Sequence, residues 1–237
     1  MELFLKLLIA HLLGDFVLQP YSWVQDKNLK KLRSPRLYLH TGVHLILTLL
    51  MLSTELSLWY LAVIIAITHF LIDAMKLKLQ NEKNGRLLFF IDQLLHLLVI
   101  IVIALFFVDT ISLPDLNNSQ WFTICGLLFL TQPASIIIKT LISVYTPKTE
   151  MEADDSLQNA GKYIGIIERI LVLIFIMTNH WEGVGFLIAA KSIFRFSDLT
   201  QAKDRKLTEY ILIGTLLSFG FAIVTGLIVM HFVRTAA

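Results

Sequence analysis

The chain is a series of long apolar runs separated by short polar stretches. An α-helix needs about 20 mostly apolar residues to cross the hydrocarbon core of a bilayer. The runs that approach this length lie near residues 2–19, 38–54, 58–76, 87–108, 120–143, 162–180, 184–197 and 208–232. The pattern predicts an all-α, polytopic membrane helix bundle of about eight spans, or seven if the short seventh segment does not cross.

Histidine and aspartate interrupt the first four runs in pairs that share one spacing. Residues four apart lie on the same face of an α-helix, one turn from each other, so each pair can direct two metal-ligating groups at one point. The pairs are His11 with Asp15, His40 with His44, His69 with Asp73, and Asp92 with His96. Four such pairs on four successive spans predict a metal site inside a membrane.

The basic residues predict an orientation that places all four pairs at one depth. Of the 20 Lys and Arg residues, 17 fall in alternate connections between the runs. The positive-inside rule places these connections in the cytoplasm and both termini outside. Each pair then lies at the cytoplasmic end of its span. The expected location is the bacterial cytoplasmic (inner) membrane, crossed several times, with the site toward the cytoplasm.

Composition supports the membrane class and removes several others. Hydrophobic residues make up 56% of the 237 residues, charged residues 16%, and mean hydropathy is +0.72. This balance leaves no room for a sizeable soluble domain. The net charge of +2 is too small to favour a nucleic-acid partner. The single Cys125 excludes a Cys-rich zinc site.

A divalent cation would explain why carboxylates lie inside the spans. Each carboxylate deep in a span costs about 2.5–3.5 kcal/mol unless it is compensated. Imidazole and carboxylate ligands favour zinc, with manganese or iron as alternatives. The predicted metal ligands are His11, Asp15, His69, Asp73, Asp92 and His96, while His40 and His44 fit interfacial histidines equally well. So many ligands allow one or two ions, and helix-stitching hydrogen bonds are the alternative to any ion.

Two sets of polar neighbours extend the predicted site. For catalysis the sequence favours Asp15, Asp73, Asp92 and Lys76, although Lys76 also fits a snorkelling interfacial lysine. The amides of Gln19 and Gln93 can line the same faces. In the C-terminal half, Arg169, Lys191 and Arg195 could hold an anionic substrate group, beside Glu168. The alternative there is an ion pair of Glu168 with Lys191 or Arg195, with Arg195 as a membrane anchor.

Three ordered motifs resemble a known family. They are His11-Leu-Leu-Gly-Asp15-Phe-Val-Leu-Gln19, His69-Phe-Leu-Ile-Asp73-Ala-Met-Lys76 and Asp92-Gln93-Leu-Leu-His96. They are similar to those of the bacterial integral-membrane family called domain of unknown function 3307, over about the first 110 residues. That resemblance implies no particular reaction. The architecture is more loosely similar to membrane-bound metal-dependent hydrolases. We expect a four-helix metal-site domain over 1–110, and helices that pack on it over 111–237.

The sequence leaves three functions open. The first is a metal-dependent hydrolase that uses a metal-activated water on a lipid or amphiphile from the cytoplasmic leaflet. The second is an ion- or proton-coupled transporter or channel that uses the same pairs. The third is a structural or regulatory membrane subunit. Clustering of the polar residues at one side favours the hydrolase. Membrane lipids are the expected partners, and the oligomeric state is unknown.

Overall fold

The protein is helical throughout the part of the chain that the structure, a computed structural model, describes: residues 1–81, 83–107, 118–145, 155–201 and 205–236. Those residues form ten α-helices and no strand, which confirms the all-α prediction. The helices are α1 (Glu2–Leu12), α2 (Tyr21–Lys30), α3 (Pro35–Met51), α4 (Trp59–Leu79), α5 (Gly85–Phe106), α6 (Asn118–Phe129), α7 (Gln132–Ile142), α8 (Asp155–Met177), α9 (Trp181–Gln201) and α10 (Arg205–Ala236).

Several of these helices are long and apolar enough to cross a membrane. Leu56–Leu79, Gly85–Phe106 and Glu209–Thr235 each qualify alone. Two bent pairs bring the number to five if each is one span: Glu2–Val17 with Tyr21–Arg33, bent by 80°, and Asn118–Phe129 with Gln132–Tyr145, bent by 44°. Three to five spans among the described residues are fewer than the predicted seven or eight. One reason is that α3 has only 17 residues.

The chain divides into two compact units, Met1–Trp121 and Phe122–Ala237. In the first unit, α1 packs against α3 and α5, and α4 packs against the same two helices. This arrangement is a four-helix bundle. One half of the bundle has an apolar core, formed by Leu3, Leu7, Leu52, Leu58, Leu61, Ile65, Ile100 and Ile103. The histidines and aspartates lie in the other half.

The basic connection after the first span contains a helix that the sequence did not predict. The first span ends near Val17, and α2 begins after Pro20, whose extended backbone starts the new helix. Only ten residues long and largely polar, α2 gives a weak apolar signal. Ser34 then caps α3, since its Oγ accepts from the Arg36 amide at 3.2 Å. This segment therefore folds back toward the bundle.

The second unit has its own apolar core. Helix α10 packs against α8 and α7, and α8 packs against α9. The core contains Leu130, Val172, Leu173, Ile176, Val184, Phe219, Ala222 and Val229. Pro133 lies in the first turn of α7, at the break from α6. A break at this position follows from proline, which cannot donate a backbone hydrogen bond.

Shortening Leu61 to alanine should destabilise the first unit. Leu61 is fully buried in the apolar core, so Leu61→Ala leaves a cavity. The expected loss is about 1–3 kcal/mol, below the value for a soluble core because lipid also solvates leucine. Thermal unfolding in detergent measures it. Leu94→Ala, at an exposed position of α5, is the matched control. Equal melting temperatures for the two variants would contradict this packing.

Candidate metal centre

The three His/Asp pairs and the His40–His44 pair meet in one buried cluster of the first unit. Their helices run alternately up and down, so the C-terminal halves of α1 and α4 lie beside the N-terminal halves of α3 and α5. His40 and His44 are each only 1% exposed, so they are central members of the cluster. Three sets have ligand atoms within 4.8 Å of one another: His11, Asp15, His44 and His69; His40, His69 and Asp73; and Asp15, Asp92 and His96.

Asp15 is the centre of the cluster. Its Oδ1 lies 2.9 Å from Nε2 of His44, 3.2 Å from Nε2 of His40 and 3.4 Å from Nε2 of His69. The Nε2 atoms of His40 and His69 are themselves 3.1 Å apart. Nε2 of His11 lies farther away, 3.9 Å from Oδ2 of Asp15. Three imidazole nitrogens therefore converge on one carboxylate oxygen.

A π-helical turn at Leu13–Val17 positions Asp15. The turn is closed by a hydrogen bond from the Leu18 amide to the Leu13 carbonyl, at 2.8 Å. Such a turn widens the helix locally and is frequent at functional sites. Gly14, within this turn, leaves room for the His44 ring, because a Cβ at position 14 would lie 2.5 Å from Nε2 of His44. The glycine allows the His44 ring to pack against the backbone of α1.

Two lysines pair with the other two carboxylates. Lys27, on α2, donates to Oδ2 of Asp73 at 2.8 Å, and Lys76, on α4, donates to Oδ2 of Asp92 at 2.8 Å. Lys27 is not among the predicted site residues, because it lies in a basic stretch that membrane topology already explains. Its side chain is nevertheless only 7% exposed. The spacing of Lys27 from the end of the first span carried no signal of this contact.

Gln93 connects Asp15 and His11 with Asp92, whereas Gln19 takes no part in the described contacts of the cluster. The Gln93 amide donates to Oδ2 of Asp15 at 2.7 Å, and its Oε1 lies 3.3 Å from Nε2 of His11. Gln93 also lies 3.3 Å from Oδ2 of Asp92. Among the described residues, Gln19 forms no hydrogen bond with the cluster, since it follows the π turn where the chain leaves α1.

Several buried polar atoms of the cluster have no hydrogen-bond partner within the described residues. They are Nδ1 of His40, Oδ1 of Asp92 and both ring nitrogens of His96. His96 is 3% exposed, and its ring stacks on His69 with the centroids 3.9 Å apart. Buried polar groups are nearly always satisfied, so these atoms mark positions where water, an ion or substrate fits.

A small cavity borders the histidines on their apolar side. Its volume is about 10 Å³, near the size needed for one water molecule. Its polar walls are His11, His44, His69 and His96, and its remaining walls are Leu7, Thr48, Ile65, Thr68, Val99 and Ile100. A small ligand in this cavity would contact imidazole on one side, and aliphatic side chains and two threonines on the other.

The cluster lies wholly inside a region that matches a known protein family. The model of the family described as "Protein of unknown function (DUF3307)" matches residues 3–124, which is more than half of the 237-residue chain. The chain belongs to the DUF3307 family. This membership confirms the resemblance that the three motifs indicated. Searches of curated proteins and of solved structures gave no significant match.

Beyond the DUF3307 region, the second predicted set of polar residues is held by contacts within the second unit. Arg169 is 3% exposed and donates to the carbonyls of Leu130, at 2.7 Å, and Thr131, at 3.0 Å. It also donates to Oγ of Ser135 and Ser218. Four of its five N–H groups are thus engaged, at the break between α6 and α7. The assigned role of Arg169 in substrate binding stays a prediction.

Glu168 and Lys191 form an ion pair between α8 and α9. This is the pairing that the alternative interpretation of these residues expected. Both side chains are partly buried, at 14% and 21% exposure, so neither is freely available to a ligand. The side chain of Arg195 lies outside the described residues. Substrate binding by this set stays a prediction, and none of its residues belongs to the unit that contains the cluster.

Adding a methyl group at Gly14 should disturb the cluster. Gly14→Ala places a Cβ against the His44 ring, and the expected cost is about 1–3 kcal/mol of unfolding free energy. Gly42→Ala is the matched control, because a Cβ at position 42 contacts nothing within 4 Å. Thermal unfolding of both variants in detergent measures the difference. If Gly14→Ala melts with Gly42→Ala, the close approach of His44 is not required.

Removing the Arg169 guanidinium should destabilise the second unit. Arg169→Met leaves the Leu130 and Thr131 carbonyls short of donors, at an expected cost of about 2–4 kcal/mol. Arg234→Met, at an exposed position of α10, removes the same charge as a control. Thermal unfolding distinguishes them. Unchanged stability of Arg169→Met would instead favour a role in binding an anion.

Proposed function

We propose that this protein is a membrane-embedded, metal-dependent hydrolase that acts on a lipid or amphiphilic substrate from the cytoplasmic leaflet. The observation that carries the proposal is the convergence of the His40, His44 and His69 Nε2 atoms on Asp15. Within the described residues of the first unit, the histidines form a single cluster, and some of their ring nitrogens have no hydrogen-bond partner. The cluster lies in the half of the bundle opposite the apolar core.

The separations between these donor atoms support a common metal ion. Ligands bound at 2.0–2.2 Å lie about 3.4 Å apart in a tetrahedral site and about 2.9 Å apart at the edge of an octahedral one. Four of the six separations among Asp15 Oδ1 and the three Nε2 atoms, the three to Oδ1 and that between His40 and His69, run from 2.9 to 3.4 Å. Hydrogen bonding alone explains the set less well, because one oxygen would serve three histidines. Asp15, His40, His44 and His69 are therefore the proposed ligands.

The charges of the cluster support one ion instead of two. Asp73 and Asp92 each pair with a lysine, whereas Asp15 contacts histidines and Gln93. Three carboxylates and two ammonium groups leave one net negative charge when the imidazoles are neutral. One divalent cation changes this to one net positive charge, which a bound hydroxide would neutralise, while a second cation would leave three net positive charges inside the bundle. Zinc fits the nitrogen-rich donor set best, with manganese or iron as alternatives.

The remaining residues have roles that fit hydrolysis. A divalent metal bound at Asp15 would supply an activated water near neutral pH. His96 and Asp92 have buried polar atoms without partners, so they can accept the proton of that water. Lys76 holds Asp92 in place, and Lys27 holds Asp73. Gln93 bridges Asp15 and Asp92, which fixes the distance between the ligand and the proposed base.

Location and topology complete the proposal. We place the chain in the bacterial cytoplasmic membrane, with α3, α8 and α9 also crossing, which restores eight spans. Both termini then lie outside, and the cluster faces the cytoplasmic side. The basic residues of α2 and of the turn after it, which include Lys30, Lys31 and Arg33, support this orientation.

A proton or ion pathway is the second candidate function. It is favoured by a continuous series of polar contacts from Lys76 through Asp92 and Gln93 to Asp15. The Lys76 side chain is 23% exposed, so the series reaches the surface. Ionisable residues within membrane spans are typical of such pathways. Against it, an apolar core occupies most of the other half of the bundle, and the buried Lys6 there pairs with Glu2 and Thr54, with no hydrogen bond to the cluster among the described residues.

Metal content tests the proposal directly. We expect about one zinc, manganese or iron ion per chain in detergent-purified protein, measured by inductively coupled plasma mass spectrometry. His44→Ala and Asp15→Asn should lose the ion, because each removes a proposed ligand. His231→Ala is the matched control, since His231 lies on α10, in the other unit. Folding of each variant is checked by gel filtration and thermal unfolding.

The outcomes separate the candidates. Metal-free wild-type protein after reconstitution with each ion would overturn the metal centre, and about two ions per chain would overturn the charge argument. Metal-loaded protein should release soluble product from phospholipid vesicles, and His44→Ala should not. Metal-loaded protein that hydrolyses none of a lipid panel, but carries protons or ions across proteoliposomes, would favour the transporter.

A further inference from the structure

A basic cleft lies next to the cluster in the first unit. Its walls come from the end of α2, the 3₁₀ turn that follows it, and the end of α4: Lys30, Lys31, Leu32, Arg33, Leu77 and Lys78. The cleft has a volume of about 480 Å³. Four of its six lining residues are cationic, and none is acidic. This composition is complementary to an anion.

Much of this positive charge is available to a ligand. Lys30 pairs with Asp26 at 2.5 Å, and Nζ of Lys31 donates to the Gln80 carbonyl at 3.4 Å. Within the described residues, Arg33 and Lys78 form no ion pair, and both are exposed. Two cations thus face the cleft without a carboxylate partner. Charge repulsion between them is relieved when an anion binds.

The backbone at Lys31, which shapes the cleft, has a strained conformation. Its φ is 54°, in the left-handed region that residues other than glycine seldom adopt. The Lys31 amide donates to the Lys27 carbonyl, and the Lys31 carbonyl accepts from the Ser34 amide at 3.2 Å. Such strain persists where the surroundings enforce it, and it is enriched at functional positions. Here the strained residue turns the basic segment toward the end of α4.

The surroundings favour a lipid over a soluble anion. Helix α4 belongs to the membrane-span segment Leu56–Leu79, so Leu77 and Lys78 lie at the membrane boundary. The end of α2 with the turn after it, and the end of α4, also expose large aliphatic side chains. Leu29 is 83% exposed, Leu79 55% and Leu32 44%. Exposed apolar groups beside cations match an amphiphile, whose head group and acyl chains occupy both environments. A free phosphate would use only the cations.

We propose that this cleft binds the phosphate head group of an anionic phospholipid from the surrounding bilayer. Leu77 follows Asp73 by four residues of α4, which is about 6 Å along the helix, and Lys31 caps the end of α2, where its amide donates to the Lys27 carbonyl. A head group in the cleft therefore lies about one turn from the Lys27–Asp73 ion pair at the edge of the cluster. That this lipid is the substrate rests on the proposed hydrolase, whereas its binding does not.

Native mass spectrometry of the detergent-purified full chain tests lipid binding. The probes are phosphatidylglycerol, phosphatidylcholine and inorganic phosphate. The test variant is Arg33→Gln with Lys78→Gln, and the control is Lys83→Gln with Lys139→Gln, which removes the same charge at exposed positions outside the cleft. We expect phosphatidylglycerol to bind more tightly than phosphatidylcholine. The test variant should weaken phosphatidylglycerol binding about 10–30-fold, and the control less than about twofold.

Each other outcome overturns the proposal. Equal losses in both double variants would show diffuse attraction to cytoplasmic basic residues instead of a site. Displacement of the lipid by millimolar inorganic phosphate would identify a soluble phosphate as the ligand, and equal binding of phosphatidylcholine would exclude charge recognition. Metal content is measured in the same samples. A test variant that keeps its metal but loses lipid binding would show that the cleft and the metal centre are independent. Failure of one proposal is then distinguishable from failure of the other.

Discussion

The burial of Asp15, Asp73 and Asp92 within the helix bundle is the constraint on which the first unit depends. A carboxylate that leaves water must find compensating charge or donors nearby, or it destabilises the helix that carries it. Asp73 and Asp92 find lysines, and Asp15 finds histidines and Gln93. Each of these partners lies on a different helix from the carboxylate that it contacts, so the carboxylates are compensated only in the assembled bundle. The polar half consequently specifies which helices are neighbours.

The apolar half of the bundle works differently. Lipid tails solvate leucine nearly as well as a protein interior does, so packing there supplies shape complementarity more than a solvent-driven force. Leu3, Leu61 and Ile103 belong to the apolar core of the half that contains neither the histidines nor the aspartates. Contacts of this type set the distances between helices, and the polar contacts set their rotation about their own axes. The two halves together determine where the ring nitrogens meet Asp15.

The sequence predicted the helical class and the membership of the cluster because both follow from spacing. Pairs four apart on antiparallel spans can meet at one level, and each of the four pairs contributes at least one residue to the three sets of neighbouring ligand atoms. It could not predict which nitrogens face Asp15, since that depends on rotation of each helix. It also gave His40 and His44 no preference over interfacial histidines, although both are central. Their burial is a property of four packed helices, not of their own segment.

Other parts of the site had no signal in the sequence. The π turn that contains Gly14 is invisible to an analysis that assumes 3.6 residues per turn throughout. Lys27 lies in a basic loop where lysine is expected for topological reasons, so its burial against Asp73 could not be distinguished from ordinary loop charge. Arg169 was predicted to bind an anionic substrate group because its hydrogen bonds within the second unit are not visible in the sequence. Its contacts with Leu130 and Thr131 arise from the break at Pro133, and that geometry exists only in three dimensions.

The spread of the cluster over four helices has a consequence for biogenesis. Ribosomes deliver the chain from its N-terminus, so Asp15 reaches the bilayer before the segments that carry His40, His44 and His69 have been made. Gln93 arrives almost eighty residues later. During that interval the first hairpin carries an ionisable group without its final neighbours. The partners of Asp15 are therefore complete only once α5 has emerged, and the four helices reach their final arrangement together instead of one after another.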